Sequence, residues 1–295
     1  MSLRNVREAV NVRSKYLYGP NVAWRRWVDA ARLWTRPAKT VLFHPDCPVW
    51  ISKYVAFRLC ALLNYKVVND PEQHYDVAFK FHDSTFSTLE DLAAENVDLD
   101  RAINGKSLDI SKSTIETIFA NVFGYELRVD PTQYEGAAVV KSDKNYTHDG
   151  RVIECPIPAS EVEEGYVYQK EIDTKTEEGY FLDHRVPIIG DAIPLVYLKY
   201  KRPRFETSGV SHIELARPED VFEPLEMNRL FELARAMGVD HGELDVLRDQ
   251  CDGRIYVVDV ANTPTGPSHG ITKKQQRKAL NIMMPSFEGL LEEYS

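Results

Sequence analysis

The residues best suited to chemistry lie in "RIYVVDVANTPTGP", residues 254–267. A β-branched run ends at Asp259, and Asn262 follows just before Thr-Pro and Gly-Pro turns. Asp, Asn, Pro and Gly gather wherever strands stop, so turn chemistry accounts for this composition. The same carboxylate and amide oxygens are also hard donors of the kind Mg²⁺ takes, usually shared with substrate phosphates. The longer stretch "GELDVLRDQCDGRIYVVDVANTP" adds a partner. Two strands flank Cys251-Asp252-Gly253, and a three-residue loop with glycine last is a favoured hairpin. Pairing Gln250 with Arg254 sets Asp245 opposite Asp259, so both acids project from one face. Facing carboxylates repel, and a cation between them, with Asn262 as a neutral donor, removes that cost. A one-residue slip separates the acids, and solvated acids around a plain turn are the other reading of the same spacing.

Elements that position such a hairpin can be read along the chain. The first forty residues suggest helical lead-in, with "WRRWVDAARLW" (24–34) as an amphipathic helix packed on the body. "TVLFHPD" (40–46), "KVVND" and "YDVAFKF" read as strands, and "WISKYVAFRLCALLNY" (50–65) as a helix. Strand, helix, strand at this spacing is the rhythm of a parallel sheet. "SKSTIETIFANVFG" (111–124) predicts a helix opened by Ser and Thr and closed by Gly124. After Pro131 the texture turns antiparallel, with strands in "GAAVVKSD", "RVIECPI", "GYVYQKEID", "YFLDHRVPIIG" and "AIPLVYLKYK". "PLEMNRLFELARAMG" (224–238) is a helix, and another follows Thr272. The fold class is therefore α+β: a parallel α/β lobe, then antiparallel sheet lobes.

The hairpin resembles the metal-binding hairpin of the ATP-grasp superfamily. That pattern is an acid in one strand, a Gly-containing turn, then a strand ending in acid-x-x-Asn before small residues and Pro. The resemblance covers roughly residues 100–267. It implies an ATP-grasp fold, ATP as ligand, and Mg²⁺ (with Mn²⁺ as the alternative) held by Asp245, Asp259 and Asn262. "AAVVKSD" resembles the strand whose lysine reaches the phosphates, which is Lys141; an edge-strand lysine kept for solubility is the plainer reading. Lys106 or Lys112 is the first phosphate lysine, and the sequence leaves both open. "YVYQKEI" resembles the hinge that meets adenine, implying Gln169, Lys170 and Ile172, with Asp173 toward ribose. "DHRVPIIGDAIPLVYLKY" resembles the Asp-x-Arg strand pair, which aims Arg185 at the transferring phosphate; a salt bridge to Asp183 is the alternative. The loop "SDKNYTHDGR" departs from the family in having one glycine, Gly150, so Lys144 or His148 would have to assist.

The resemblance implies a ligase that activates a carboxylate as an acyl-phosphate for attack by an amine or thiol. A phosphotransferase and a non-catalytic nucleotide-binding protein are the alternatives. The divisions expected are a helical extension at 1–39, an α/β lobe at 40–103, a nucleotide-binding region at 104–270 and a terminal helix at 271–295. The substrate is a small molecule or peptide. The cluster Lys199, Lys201, Arg202 and Arg204 suits an anionic one or a solvated basic edge, and "PTGPSHG" (264–270) suits an acceptor pocket or a connecting loop.

Composition sets outer limits. The chain of 295 residues carries a formal charge of −9, which argues against nucleic acid as partner. Cys47, Cys60, Cys155 and Cys251 form no CxxC pair and read as free thiols of a reducing compartment. No apolar run reaches the length of a membrane span, so a cytoplasmic protein is expected. No HExxH, GxSxG or P-loop motif occurs, and His82, His184, His212 and His241 read as structural. His148 and His269 lie in polar loops near the candidate site.

Overall fold

The computed structural model describes residues 3–16, 28, 31, 38–46, 48, 50–145, 147, 149–202, 210–267 and 270–295. Most of 24–34, together with Cys47, His148, Arg204 and His269, lies outside the described residues.

The apolar runs near the N-terminus form a parallel sheet. Its strands are β1 (Thr40–Pro45), β2 (Lys66–Val68), β3 (Val77–Phe81) and β4 (Ala102–Ile103), in the order β2-β1-β3-β4. Continuous apolar stretches such as "VLF" are what a parallel sheet buried on both faces requires. Val41, Phe43, Val67 and Phe79 share one core with helices α1 (Leu3–Tyr16), α2 (Val55–Leu62) and α5 (Lys273–Glu293). The helix expected over 50–65 starts late. Tyr54 forms an isolated bridge with Thr265, and α2 begins only at Val55.

Two antiparallel sheets follow. One has β5 (Gly136–Ser142), β6 (Arg151–Cys155) and β7 (Tyr166–Lys170), in the order β6-β5-β7. The other has β8 (Phe181–Ile189), β9 (Val196–Lys201), β10 (Val210–Ala216), β11 (His241–Arg248) and β12 (Ile255–Ala261), in the order β10-β9-β8-β11-β12. Helices α3 (Lys112–Phe123) and α4 (Pro224–Ala236) cover one face of this sheet through Val186, Ile188, Leu244, Val246 and Val260. Ser111 caps α3 by accepting from the Thr114 amide, and Gly124 closes it at φ 76°.

Alternation leaves the opposite face of the five-stranded sheet to a second set of residues. Ile189, Leu195, Tyr197 and Ile213 pack there into the core shared with α2 and α5. Farther along the same strands the set turns polar: Asp183, Arg185, Lys199, Glu243, Asp245 and Asp259. One face thus serves as core at one end and carries a charged cluster at the other.

Behind α4 the chain turns at Gly238, with φ 67°. A Cβ there would lie 2.5 Å from the Lys106 carbonyl carbon. Gly238→Ala is therefore expected to destabilise by about 2 kcal/mol or more, from left-handed strain plus a backbone clash; urea unfolding measures it.

Candidate functional site

The hairpin brings the two acids together, by a route the spacing did not predict. Asp249 and Arg254 close the turn, so the loop is four residues, 250–253, instead of three. That shifts the register by one, and Arg248 pairs with Ile255. A bulge at Val258 shifts it back, and Asp245 then pairs with Asp259. Bulges re-aim side chains beside functional sites, and this one also presents a carbonyl: Val258 O accepts Lys141 Nζ at 2.9 Å.

Lys141 arrives from β5 and Lys112 from the first turn of α3. Burial lowers Lys141 to about 8 against the pull of Asp259, and the nearby Lys112 charge lowers it further. Lys112 is lowered by burial too, with Asp259 its largest opposing influence. Burial raises the Asp259 carboxyl, while Lys112 and Lys141 draw it down. Two cations from different elements thus converge on one acid. Lys106 lies elsewhere: it is exposed in a groove of about 830 Å³ lined by Leu92, Val97 and Leu99.

Across the floor, Arg185 Nε donates to Asp245 Oδ1 at 2.9 Å and Nη2 to Oδ2 at 3.2 Å. Burial alone would lower this guanidinium, but Asp245 and Glu243 outweigh it and raise it. Asp183, the alternative partner from sequence, pairs instead with Lys201. Lys199, from the expected basic cluster, is buried on the floor and lowered by burial against the pull of Asp245. Glu243 was missed, although its place two residues before Asp245 puts it on the same face. Burial pushes its carboxyl up to about 7, and its Oε2 lies 3.6 Å from Arg185 Nε.

Asn262 is placed by contacts remote in sequence. Its Nδ2 donates to Ser107 Oγ at 3.2 Å, and its carbonyl accepts Asn104 Nδ2 at 3.0 Å. Asn104 spends its side chain on this junction, also donating to His241 O and accepting from the Asp240 and His241 amides. The fit to a hard cation rests on two buried oxygens. Asp259 Oδ1 and Asn262 Oδ1 have no hydrogen-bond partner among the described residues. Asp245 sits opposite Asp259 across the hairpin, but Arg185 takes both its oxygens. Among the described residues no three His, Cys, Asp or Glu side chains gather as a cage. Mg²⁺ shared with phosphates needs only one or two carboxylates.

The glycine-poor loop is shaped by side chains instead. Asp149 Oδ1 accepts from Ser142 N and Thr147 Oγ1, and Asp143 accepts from both Ser113 N and Ser113 Oγ at the start of α3. Its oxygens also hold Lys112: Nζ donates to Lys144 O at 2.9 Å and to Asn145 Oδ1 at 3.1 Å.

In the expected hinge, Gln169 is buried and donates to Glu116 Oε1 at 2.7 Å. The Lys170 side chain bonds Tyr256 OH and Asp249, bracing the hairpin turn. Ile172 packs against the core beside α3. Asp173 accepts from Lys175 N through its carboxylate and from Gln250 N through its carbonyl. "PTGP" runs along the entry to α2, with Pro264 O accepting from Val55 N.

Four of the described histidines have structural surroundings. His82 bonds Ser87, His212 stacks on Tyr200, and burial lowers His184 and His241 to about 4. His241 lies edge-on to Phe79 and Phe287. A histidine held neutral in the fold contributes stability above its unfolded value of 6.5, lost as pH falls toward about 4. Glu116 and Glu243, raised to about 7, contribute the opposite slope between 4.5 and 7. His241→Phe is therefore expected to lose less stability than wild type between pH 6.5 and 4, as denaturant midpoints at each pH would show.

No protein-family model matches the chain, and no curated protein matches its sequence. Solved structures do. The RimK-domain ATP-grasp protein from Sphaerobacter thermophilus DSM 20745 is 12% identical, over 86% of this chain and 100% of that one, with a TM-score of 0.49. The D-alanine–D-alanine ligase from Bacillus anthracis is 10% identical over 87% and 99%, with a TM-score of 0.46. The ATP-grasp ligase PsnB complexed with minimal precursor is 14% identical, with a TM-score of 0.42. That match covers 61% of this chain and 63% of PsnB, so the chain spans less than two thirds of that ligase's length.

Proposed function

We propose that the cleft between the three-stranded and five-stranded sheets binds ATP and transfers its γ-phosphoryl group to a substrate carboxylate. One observation carries this reading: Lys112 and Lys141 both lie near enough to draw down Asp259, a half-buried acid whose buried Oδ1 has no hydrogen-bond partner among the described residues. An acid between two lysines needs no third charge, but a phosphate chain does need both cations, and a divalent ion rebalances the acid.

In this account Lys112 and Lys141 bind phosphate oxygens, taking up the charge that loop oxygens and Val258 O hold here. Arg185, steadied by Asp245, faces the phosphoryl group in flight with Lys199 beside it. Asp259 and Asn262 would hold Mg²⁺, which neutralises and aligns the phosphates when bound. The substrate carboxylate attacks the γ-phosphorus as the bond to the ADP oxygen breaks. An amine or thiol then attacks the acyl carbon and expels phosphate. No protein nucleophile is required. The loop's hold on Lys112 favours a second reading, a nucleotide-binding protein without turnover.

The test adds hydroxylamine to the protein with Mg²⁺, ATP and a panel of carboxylic acids and amino acids. Carboxylate-dependent ADP release with hydroxamate formation is the expected result. ADP release with a phosphorylated alcohol and no hydroxamate would make it a phosphotransferase, and binding without ADP release would favour the second reading.

A further inference from the structure

Resting on the nucleotide reading above, we infer that Asn145 is a latch: it fastens the β5–β6 loop across Lys112, and the loop must let go before a phosphate chain can reach that lysine. Four hydrogen bonds meet at this residue. Its amide N donates to Thr85 Oγ1 at 2.9 Å, and Thr85 O in turn accepts from Ile110 N. Its side-chain Nδ2 donates to Ile110 O at 3.3 Å and to Val260 O at 3.2 Å, and its Oδ1 accepts from Lys112 Nζ at 3.1 Å. The partners settle which end of the amide is which, because a carbonyl only accepts and an ammonium only donates. They also come from three separate segments: the β3–β4 connection, the start of α3, and β12 beside Asp259.

An ammonium has three N–H groups, and on Lys112 the loop takes two of them, through Asn145 Oδ1 and Lys144 O. More of the anchor lies alongside: Asp143 O accepts from Lys112 N, and the Asp143 carboxylate accepts from Ser113 N and Ser113 Oγ. All of these contacts are internal to the chain. They therefore stabilise the fastened loop over the released one and weaken any ligand that needs Lys112. The Asp143 carboxylate contacts end on α3, whereas those of Asn145 span from Thr85 to β12, which makes Asn145 the point where release is decided. A loop built of glycines has no side chain to fasten, so the glycine-poor composition of "SDKNYTHDGR" is what supplies the latch.

The test follows binding of a fluorescent N-methylanthraniloyl ATP, with Mg²⁺, by stopped flow on the full chain, on Asn145→Ala and on Thr85→Val, with urea midpoints recording that each is folded. In the wild type the observed rate is expected to level off as nucleotide rises, since release of the loop comes first. Asn145→Ala removes three of the four bonds and raises that plateau by about tenfold or more; Thr85→Val removes the fourth and raises it by about threefold. A merely structural role would lower the urea midpoint and leave the plateau where it was. A plateau unchanged or lowered in Asn145→Ala, or a wild-type rate that stays proportional to nucleotide throughout, overturns the inference while leaving the nucleotide reading intact. Absence of binding by the folded wild type overturns both.

Discussion

Lys141→Met is expected to reduce ATP-dependent turnover by about 100-fold or more, the scale seen when one charge-stabilising donor leaves a preorganised site. The methionine keeps the length and apolar body of the side chain while removing the ammonium. Burial lowers this lysine to about 8, so its ammonium is undercompensated here and gains from phosphate oxygens. The same lowered value gives a pH signature. A lysine charged below about 8 loses its cation above it, so nucleotide affinity falls as pH rises from 7 to 9. The variant shows a shallower profile over that range. Steady-state ADP release and calorimetry at several pH values measure both effects.

Asn104→Ala is expected to destabilise the fold by about 3 kcal/mol or more. The Asn104 side chain joins the end of β4 to Asp240, His241 and Asn262 through four hydrogen bonds of 2.8, 2.9, 2.8 and 3.0 Å. Truncation leaves those buried backbone groups unpaired, each at a cost of about 1–3 kcal/mol before relaxation. Asn104 also sits at φ 59°, a left-handed value that asparagine tolerates better than alanine does. Urea unfolding measures the loss. Since Asn104 holds the Asn262 carbonyl, ATP affinity measured well below the unfolding midpoint should fall too.

Features written locally were legible in the sequence. The α3 helix announces itself through Ser111 and Gly124, and the parallel sheet through short apolar strands around a helix. Asp245 opposite Asp259 was legible for a less secure reason. A four-residue turn and a bulge shift the register by equal and opposite amounts, so the simple count of residues reached the right pair through the wrong loop. The β10 strand was not expected, as "VSHIELA" follows a stretch whose polarity reads as loop.

Contacts between distant segments were not legible. Nothing near Asn104 points to Asn262, 158 residues away, and nothing in α3 points to Gln169, 53 residues from Glu116. The choice between Lys106 and Lys112 had the same character. Both are lysines near a helix start, and only the packing of α3 against β12 sets one beside Asp259. The bond from Arg185 to Asp245, in place of Asp183, also needed the sheet order, because β11 pairs with β8 across 60 residues.

The central claim is that a divalent ion and a nucleotide share the end of β12. Its most direct test is calorimetric titration of ATP into the wild type with and without Mg²⁺, beside the Asp259→Ala, Asn262→Ala double variant. Binding that requires Mg²⁺ and disappears in a folded double variant is the predicted result. Equal ATP binding by wild type and variant, or none by the folded wild type, would contradict it.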